Sequence, residues 1–165
     1  MDIRKGVTED IDSIMSIVGQ VVAEMAAYGN FQWTSEYPTA HRFQQDIKNQ
    51  SLFVAVKNRA VLGFIVVDRI EPSEYASVAW NREDPACVIH RFAVRGGARR
   101  HGIASILEAH ACKLARKSGL HYLKTDTNSS NQGMQGFLKS RNYRYTGDVF
   151  FAKCTNAFYC YDKAL

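Results

Sequence analysis

Residues 88–104 have the sequence VIHRFAVRGGARRHGIA, in which an apolar run leads into a basic segment with glycines and then into apolar residues at helical spacing. This order predicts a strand, a turn and the start of a helix. Glycines lack a Cβ, so the main-chain N–H groups of such a turn can approach an anion, and the following helix adds the positive end of its dipole. Three arginines and His101 crowd the turn, and a bound polyanion would relieve their repulsion. The stretch therefore predicts a site for phosphate groups.

The turn carries a recognisable motif. Residues Arg99–Ala104, RRHGIA, fit the pattern R/Q-x-x-G-x-G/A, which resembles the acyl-CoA-binding motif of the GNAT superfamily of N-acetyltransferases. Two features of the context agree with the resemblance. The end of an apolar strand, Phe92–Val94, precedes the motif, and Asn131 opens another helix after the next strand, as the family's pattern requires. The resemblance extends over nearly the whole chain.

The resemblance implies a fold and a cofactor site. The expected fold is α+β (α/β mixed), a GNAT-like three-layer arrangement with a central mixed, mostly antiparallel sheet of six to seven strands and about four flanking helices. Acyl-CoA would lie in a cleft where the sheet splays beside the central strand. The expected cofactor-binding residues are Phe92, Ala93 and Val94 along the pantetheine arm, Arg99, Arg100, His101, Gly102, Ile103 and Ala104 around the pyrophosphate, and Asn131 on the pantetheine arm.

Bulk properties agree with one folded domain, expected over residues 1–165. Charged residues make up 22% and hydrophobic ones 46%, which is ordinary globular composition. The net charge of +5 favours anionic partners without choosing among them. The four cysteines form no C-x-x-C pair, so we expect free thiols in a reducing cytoplasm and no metal. The absence of a secretory h-region and of a bilayer-length apolar run predicts a cytoplasmic protein that does not bind membranes.

Periodicity predicts the order of the elements. A short strand begins at Ile3, a helix with Thr8 as its N-cap runs to Gly29, and Thr39 caps a second helix. Residues 52–56 and 61–67 predict a hairpin, and the central strand begins at Cys87. The remaining expected elements are the helix after Gly102, a strand over 120–127 parallel to the central one, a helix over 131–140 and two β-like runs over 142–151 and 157–162.

Acetyl transfer to an amine needs a neutral nitrogen, a proton acceptor and a route to protonate the departing thiolate. His90 is the candidate base, because period two places it on the same face as Phe92 and Val94; the alternative is a structural histidine. Glu83 lies just upstream, where a carboxylate would act through water or attract a cationic amine, or would simply be solvated. Many family members carry a tyrosine seven residues after the asparagine, but this chain has Leu138 there. Tyr143, Tyr145 or solvent would then protonate the thiolate.

Two aromatic loops are candidates for the substrate side. The first, residues 31–38, contains Trp33 and Tyr37, and the second, residues 71–85, contains Trp80. Their rings would either line a substrate pocket or cover the edge of the core. Glu36 and Glu74 in the same loops are further candidates for recognising substrate charge.

Three functions remain open from the sequence. The first is an acyltransferase that moves an acetyl group from acetyl-CoA to a small-molecule or peptide amine by direct attack in a ternary complex. The second is an acyl-CoA sensor without transfer, suggested by the missing tyrosine. The third is a nucleic-acid-binding module built on Arg91, Arg95, Arg99 and Arg100. The first gives acetyl-CoA and an amine as partners, with no nucleic acid or membrane, and leaves a homodimer open.

Overall fold

Seven strands form one sheet in the computed structural model of the chain, which describes residues 1–152 and 154–165. The strands are β1 (Asp2–Lys5), β2 (Leu52–Lys57), β3 (Ala60–Asp68), β4 (Cys87–Val94), β5 (Tyr122–Asn128), β6 (Arg144–Val149) and β7 (Phe158–Ala164). Their order across the sheet is β1-β2-β3-β4-β5-β7-β6. Within the described residues, β4 and β5 are the one parallel pair. The mixed, mostly antiparallel sheet expected from the sequence is confirmed.

Four α-helices flank the sheet in the described part of the chain: α1 (Ile11–Ala26), α2 (Ala40–Lys48), α3 (Ile103–Lys117) and α4 (Gln132–Ser140). The first two pack on one face, where Ile14, Ile17 and Phe43 contact Phe64 and Val66 of β3. The other two pack on the opposite face, over residues that include Ile65 and Val67. The three-layer arrangement predicted from the sequence is confirmed.

The beginnings of two helices test the capping predictions. Thr39 caps α2, since its Oγ1 accepts a hydrogen bond from the main-chain N–H of Arg42 at 3.2 Å. Thr8 does not cap α1: it starts a 3-10 turn over Thr8–Asp10, and the α-helix begins only at Ile11. The reason is a competing interaction, because Asp10 accepts from the N–H of Val7 at 3.0 Å and forms an ion pair with Arg4.

A bulge in β4 changes which face each side chain occupies. Val66 pairs with His90 and Phe64 pairs with Ala93, so Ile65 alone lies opposite Arg91 and Phe92. Arg91 has a φ of 29°, in the left-handed region. His90 therefore shares a face with Val66 on the α1 and α2 side, whereas Phe92 and Val94 pack on the α3 side. The prediction that His90 shares the face of Phe92 and Val94 was wrong, since period two fails across a bulge.

The parallel pairing of β4 and β5 is short. It runs from Cys87 opposite Leu123 to Ile89 opposite Thr125. Beyond that point β4 continues through residues 90–94 and β5 through residues 126–128 without pairing to each other. The two strands therefore diverge and open a cleft in the sheet, as the sequence predicted.

A buried carboxylate joins α3 to the far side of the sheet. Glu108 is fully buried and accepts hydrogen bonds from Lys163 Nζ at 2.8 Å, Arg141 Nε at 3.0 Å and Cys112 Sγ at 3.1 Å. Burial disfavours its charged form, but these donors outweigh the effect and hold the pKa of Glu108 below its ordinary value.

All four cysteines are free thiols. Among the described residues, no helix combines the length and the apolar character that a bilayer crossing requires.

Glu108→Gln tests this ion-pair cluster. We expect a loss of about 2 kcal/mol at neutral pH, less than the roughly 3–5 kcal/mol of a wholly buried pair, because Arg141 and Lys163 are partly exposed. Since the folded-state pKa is depressed, the stabilisation is complete above the unfolded pKa of about 4.3 and disappears as the pH falls through the folded value. Urea unfolding at a series of pH values measures the difference. Neutralising the exposed carboxylate in Glu83→Gln is the control, and a pH-independent gap would contradict the assignment.

Candidate active site

The first cavity lies between the end of β4, the turn before α3 and the start of α4. Its volume is about 980 Å³, and Glu24 of α1 and Tyr28, in the turn after that helix, close one side of it. Nine of the ten residues predicted to bind the cofactor line it: Phe92, Ala93, Val94, Arg99, Arg100, Gly102, Ile103, Ala104 and Asn131. His101 does not; it is exposed, and its Nδ1 lies 2.8 Å from the carbonyl oxygen of Arg99.

The turn before α3 presents unpaired main-chain donors. In the described part of the chain, the N–H groups of residues 100–105 have no hydrogen-bond acceptor. Gly102 has a φ of 77° and precedes the helix without a side-chain cap, and a Cβ built on it would meet no atom within 4 Å. Free amides, open space and the positive end of a 15-residue helix together form an anion-binding site.

Side chains around the turn hold its shape. Arg99 forms an ion pair with Glu24 of α1 at 2.6 Å, and its Nε donates to the carbonyl oxygen of Val94 at 3.3 Å. On the far wall, Asn131 caps α4, because its Oδ1 accepts from the N–H of Met134 at 3.1 Å. The amide NH₂ of Asn131 keeps its two protons available for a ligand.

A second cavity of about 560 Å³ continues from the first. The two share five lining residues, Val21, Met25, Phe92, Asn131 and Met134. Trp33 and Tyr37, the predicted substrate-side residues of the first aromatic loop, both line the second cavity. Trp33 also contributes to the core, since it is 6% exposed and stacks on Phe64 with ring centroids 6.2 Å apart.

His90 lines the second cavity and is hydrogen-bonded to a carboxyl group of β3. Its Nε2 lies 3.0 Å from Oδ1 of Asp68, the last residue of β3. Burial opposes ionisation of that carboxyl, but the hydrogen bond and charge of His90 outweigh it and lower the pKa of Asp68. A carboxylate acceptor favours the tautomer with the proton on Nε2, which leaves the lone pair of the neutral ring on Nδ1.

A second carboxyl faces His90 across the cleft. Asp126 is the first residue of β5 beyond the pairing of Ile89 with Thr125, so it lies opposite His90 where the strands part. Its Oδ2 accepts a hydrogen bond from the Tyr75 hydroxyl at 2.7 Å. Burial raises the pKa of Asp126, and the hydrogen bond from Tyr75 and the nearby His90 offset this only in part.

The bulged residue of β4 is anchored to α2. The guanidinium of Arg91 makes two hydrogen bonds with the carboxylate of Asp46, at 2.8 and 2.9 Å, and donates to the Tyr37 hydroxyl at 3.0 Å. The side chains of Arg91 and Asp46 are 5% and 1% exposed. The buried pair of Arg91 and Asp46 stabilises the left-handed backbone conformation of Arg91. The hydrogen bond from Arg91 to Tyr37 connects the loop of residues 31–38 to the central strand.

A family profile described as "Acetyltransferase (GNAT) family" matches residues 20–143. This range includes β4, α3 and α4, which contribute residues to the walls of the cavities. The chain belongs to the GNAT acetyltransferase family. The resemblance seen in the RRHGIA motif is thereby confirmed. No protein of curated function matches this acetyltransferase-family chain by sequence.

Three solved structures show the same fold. A GNAT-family acetyltransferase from Streptococcus agalactiae 2603 has a TM-score of 0.86 and 24% identity, over 99% of this chain and 95% of that one. Ribosomal-protein-alanine N-acetyltransferase from Brucella melitensis gives 0.73 and 18%, over 100% of both chains. PaiA N-acetyltransferase from Thermoplasma acidophilum, in complex with coenzyme A, gives 0.75 and 14%, over 99% and 98%. At these identities the likeness concerns the fold.

Besides His101, three residues of this GNAT chain that were predicted for catalysis or substrate binding lie outside both cavities. Glu83 is exposed on the loop before β4. Trp80 is directed elsewhere, since its Nε1 donates to the carbonyl oxygen of Tyr75 and its ring covers Lys124 Nζ at 4.6 Å. Tyr143 is 4% exposed within the core on the α3 side. Nearness in sequence to the central strand did not bring the side chains of Glu83 and Trp80 to the cleft.

Two other positions considered for the acid also bring no hydroxyl to the cavities. Tyr145 is exposed on β6, where its hydroxyl donates to Asp148 at 2.6 Å. Leu138, at the family's tyrosine position, lines the second cavity and has no proton to donate.

Within the described residues, no group of three or more His, Cys, Asp or Glu side chains could hold a metal ion.

Sequence reasoning missed Asp68, Asp126 and Asp46. Each is an acid within or beside an apolar pattern, and a charged residue in such a place needs a partner. That signal marks them as unusual. It does not tell which partner each one meets, because His90, Tyr75 and Arg91 lie 22, 51 and 45 residues away.

Asp46→Ala tests the anchor beneath the bulge. Removing the carboxylate leaves the Arg91 guanidinium buried and unpaired, so we expect a loss of about 3–5 kcal/mol in the free energy of unfolding. Tyr37→Phe removes only one hydrogen bond, from a residue that is 43% exposed, and should cost about 1 kcal/mol or less. Chemical denaturation of both variants gives the comparison. Equal losses would contradict the proposed weight of the Arg91–Asp46 pair.

Proposed function

We propose that the chain is an acetyl-CoA-dependent N-acetyltransferase that moves the acetyl group to an amine by direct attack in a ternary complex. One observation carries the proposal. A single cleft runs from the free amides of residues 100–105, along the part of β4 that leaves β5, into a second cavity that contains His90. The four free thiols are consistent with a reducing cytoplasm as the place of the reaction.

The first cavity fits the cofactor. The amides around Gly102 would hold the diphosphate, and the open edge of β4 at Phe92–Val94 would pair with the amide groups of the pantetheine arm. Asn131 would add its NH₂ group where the two cavities meet. The complex of PaiA N-acetyltransferase with coenzyme A supports this assignment through the shared fold.

Acetyl-CoA supplies the activated thioester, and the chain's own residues supply position and proton transfer. The cleft aligns a donor and an acceptor from opposite ends, which lowers the entropic part of the barrier. His90 accepts the proton of the amine at Nδ1 while Asp68 holds its ring and stabilises the imidazolium that forms.

The departing thiolate needs no protein acid in this proposal. Alkyl thiols titrate near pH 8.5, so a thiolate is a stable leaving group close to neutral pH and takes its proton from solvent. The placement of Leu138, Tyr143 and Tyr145 supports this assignment, because none of them brings a hydroxyl to the cavities.

Nucleic-acid binding has little support. Of the four arginines that suggested it, Arg91 is buried against Asp46 and Arg99 is paired with Glu24. Arg95 donates its Nε to the carbonyl oxygen of Val61 at 3.2 Å. A continuous basic surface needs free cations along one face, which these contacts reduce.

Gly102→Glu tests the phosphate site. A carboxylate at this position would occupy the open space beside the amides and repel the diphosphate, so we expect CoA affinity to fall at least about 100-fold. Gly102→Gln has the same size and the same backbone strain without the charge, and Gly97→Glu places the charge in the same loop outside the cavity. Isothermal titration calorimetry with CoA compares the three. Unchanged affinity in Gly102→Glu would overturn the cofactor assignment.

His90→Ala tests the base. With an accepted amine, we expect kcat to fall about 10²- to 10⁴-fold and the rising limb of the pH–rate profile to disappear, with CoA affinity retained. His101→Ala makes the same change at an exposed histidine outside the cavities and should leave the profile unchanged. Release of free thiol across an amine panel is the measurement. CoA binding without thiol release for any amine would instead identify a sensor.

A further inference from the structure

We propose that the acceptor is a small primary amine with a single positive charge on an aromatic or similarly apolar body, and that Asp126 binds its ammonium group. This inference rests on the proposed N-acetyltransferase function and names the substrate class of the second cavity.

One carboxyl oxygen of Asp126 is available to accept a hydrogen bond from a ligand. Tyr75 donates to Oδ2, and among the described residues Oδ1 receives no hydrogen bond. Because β4 and β5 part after Ile89 and Thr125, this carboxyl stands at the mouth of the divergence, opposite the candidate base. An ammonium held there would lie next to His90, which is where the amine must lose its proton before it attacks.

A second polar group near Asp126 also lacks a partner. Thr127 Oγ1 is buried with no hydrogen bond in the described part of the chain, and Thr127 lines the same cavity. Buried polar atoms in folded proteins are normally paired. Successive residues of a strand point to opposite faces of the sheet, so Thr127 does not share the face of Asp126 and His90, and the free carboxyl oxygen of Asp126 is the polar group of the site.

The walls of the cavity are largely aromatic. Phe31, Trp33, Tyr37, Phe151 and Phe158 contribute rings, and Pro72 adds a further apolar surface. Phe31 is 60% exposed and Tyr37 is 43% exposed, so apolar surface remains available at the entrance. Burying an apolar body against these rings gains free energy that a hydrophilic chain would not. A volume of about 560 Å³ is in the range of small-molecule pockets.

The charges around the cavity favour one ammonium group. Arg91 is neutralised by Asp46, and His90 is paired with Asp68. Glu36 is exposed at the rim, where solvent weakens its attraction for a cation. In the described lining, this leaves Asp126 as the interior acid without a cationic partner. Within the described lining, a polyamine would find only the solvent-screened carboxylate of Glu36 for a further ammonium group.

The first experiment compares acceptors with the unmodified protein. Thiol release from acetyl-CoA is measured with phenethylamine, with spermidine and with a lysine-containing peptide. We expect kcat/KM for phenethylamine to exceed both others at least about 10-fold. Release with spermidine or the peptide at equal or higher efficiency would overturn this inference and leave the acetyltransferase function standing. No release with any amine would overturn both.

The second experiment isolates the charge. In Asp126→Asn, KM for phenethylamine should rise about 10- to 100-fold with a smaller change in kcat, since the charge that pairs with the ammonium is lost while an acceptor oxygen remains. The inhibition constant of 2-phenylethanol, which has the same body without the ammonium, should stay within about twofold. Tyr75→Phe keeps the carboxylate and should retain the preference for the amine over the alcohol.

Two readouts keep the test independent of folding. CoA affinity, which depends on the first cavity, reports whether each variant is intact. The unmodified protein should also bind phenethylamine about 10-fold more tightly than 2-phenylethanol, which needs no variant. Equal binding of amine and alcohol, or an equal rise of both constants in Asp126→Asn, would overturn the role of Asp126.

Discussion

The separation of β4 from β5 after three paired residues is the constraint on which the rest of the structure depends. A sheet normally satisfies the main-chain groups of an interior strand on both sides. Here residues 90–94 lose one neighbour in the middle of a seven-stranded sheet, and the space between the strands becomes the cleft. The same divergence sets the direction of the cleft, because β4 leads directly into the turn with free amides. Both cavities therefore follow from one break in pairing.

The bulge at Arg91 has an energetic cost that tertiary contacts offset. A non-glycine residue at positive φ costs on the order of 1–3 kcal/mol, and a buried guanidinium adds a desolvation cost. Asp46 of α2 and Tyr37 of the preceding loop accept three hydrogen bonds from that guanidinium. In return, the bulge moves His90 to the face of the second cavity and leaves Phe92 and Val94 facing α3. The bulge thus places the side chain of His90 on a different face of β4 from those of Phe92 and Val94.

The two carboxyls beside His90 have opposite electrostatic tendencies. His90 lowers the pKa of Asp68 despite burial, whereas burial raises the pKa of Asp126. An ionised Asp68 holds the imidazole in one tautomer. Asp126, with one oxygen free, gains most from a cation brought by the substrate, since that charge would offset its desolvation. Different environments thus divide the functions of two chemically identical groups.

The sequence alone was sufficient for the elements, the family and most of the residues that line the first cavity, because those signals are local: apolar periodicity, the glycines of the turn and the RRHGIA motif lie within a few residues of what they build. It was insufficient for the reaction site. Strand register and helix packing bring Asp68 and Asp126 next to His90 and Asp46 next to Arg91. Tertiary packing also leaves three predicted residues outside the cavities: Glu83, Trp80 and Tyr143. The face of His90 was mispredicted because a bulge is set by pairing with β3, and pairing between distant strands leaves no trace in the local pattern.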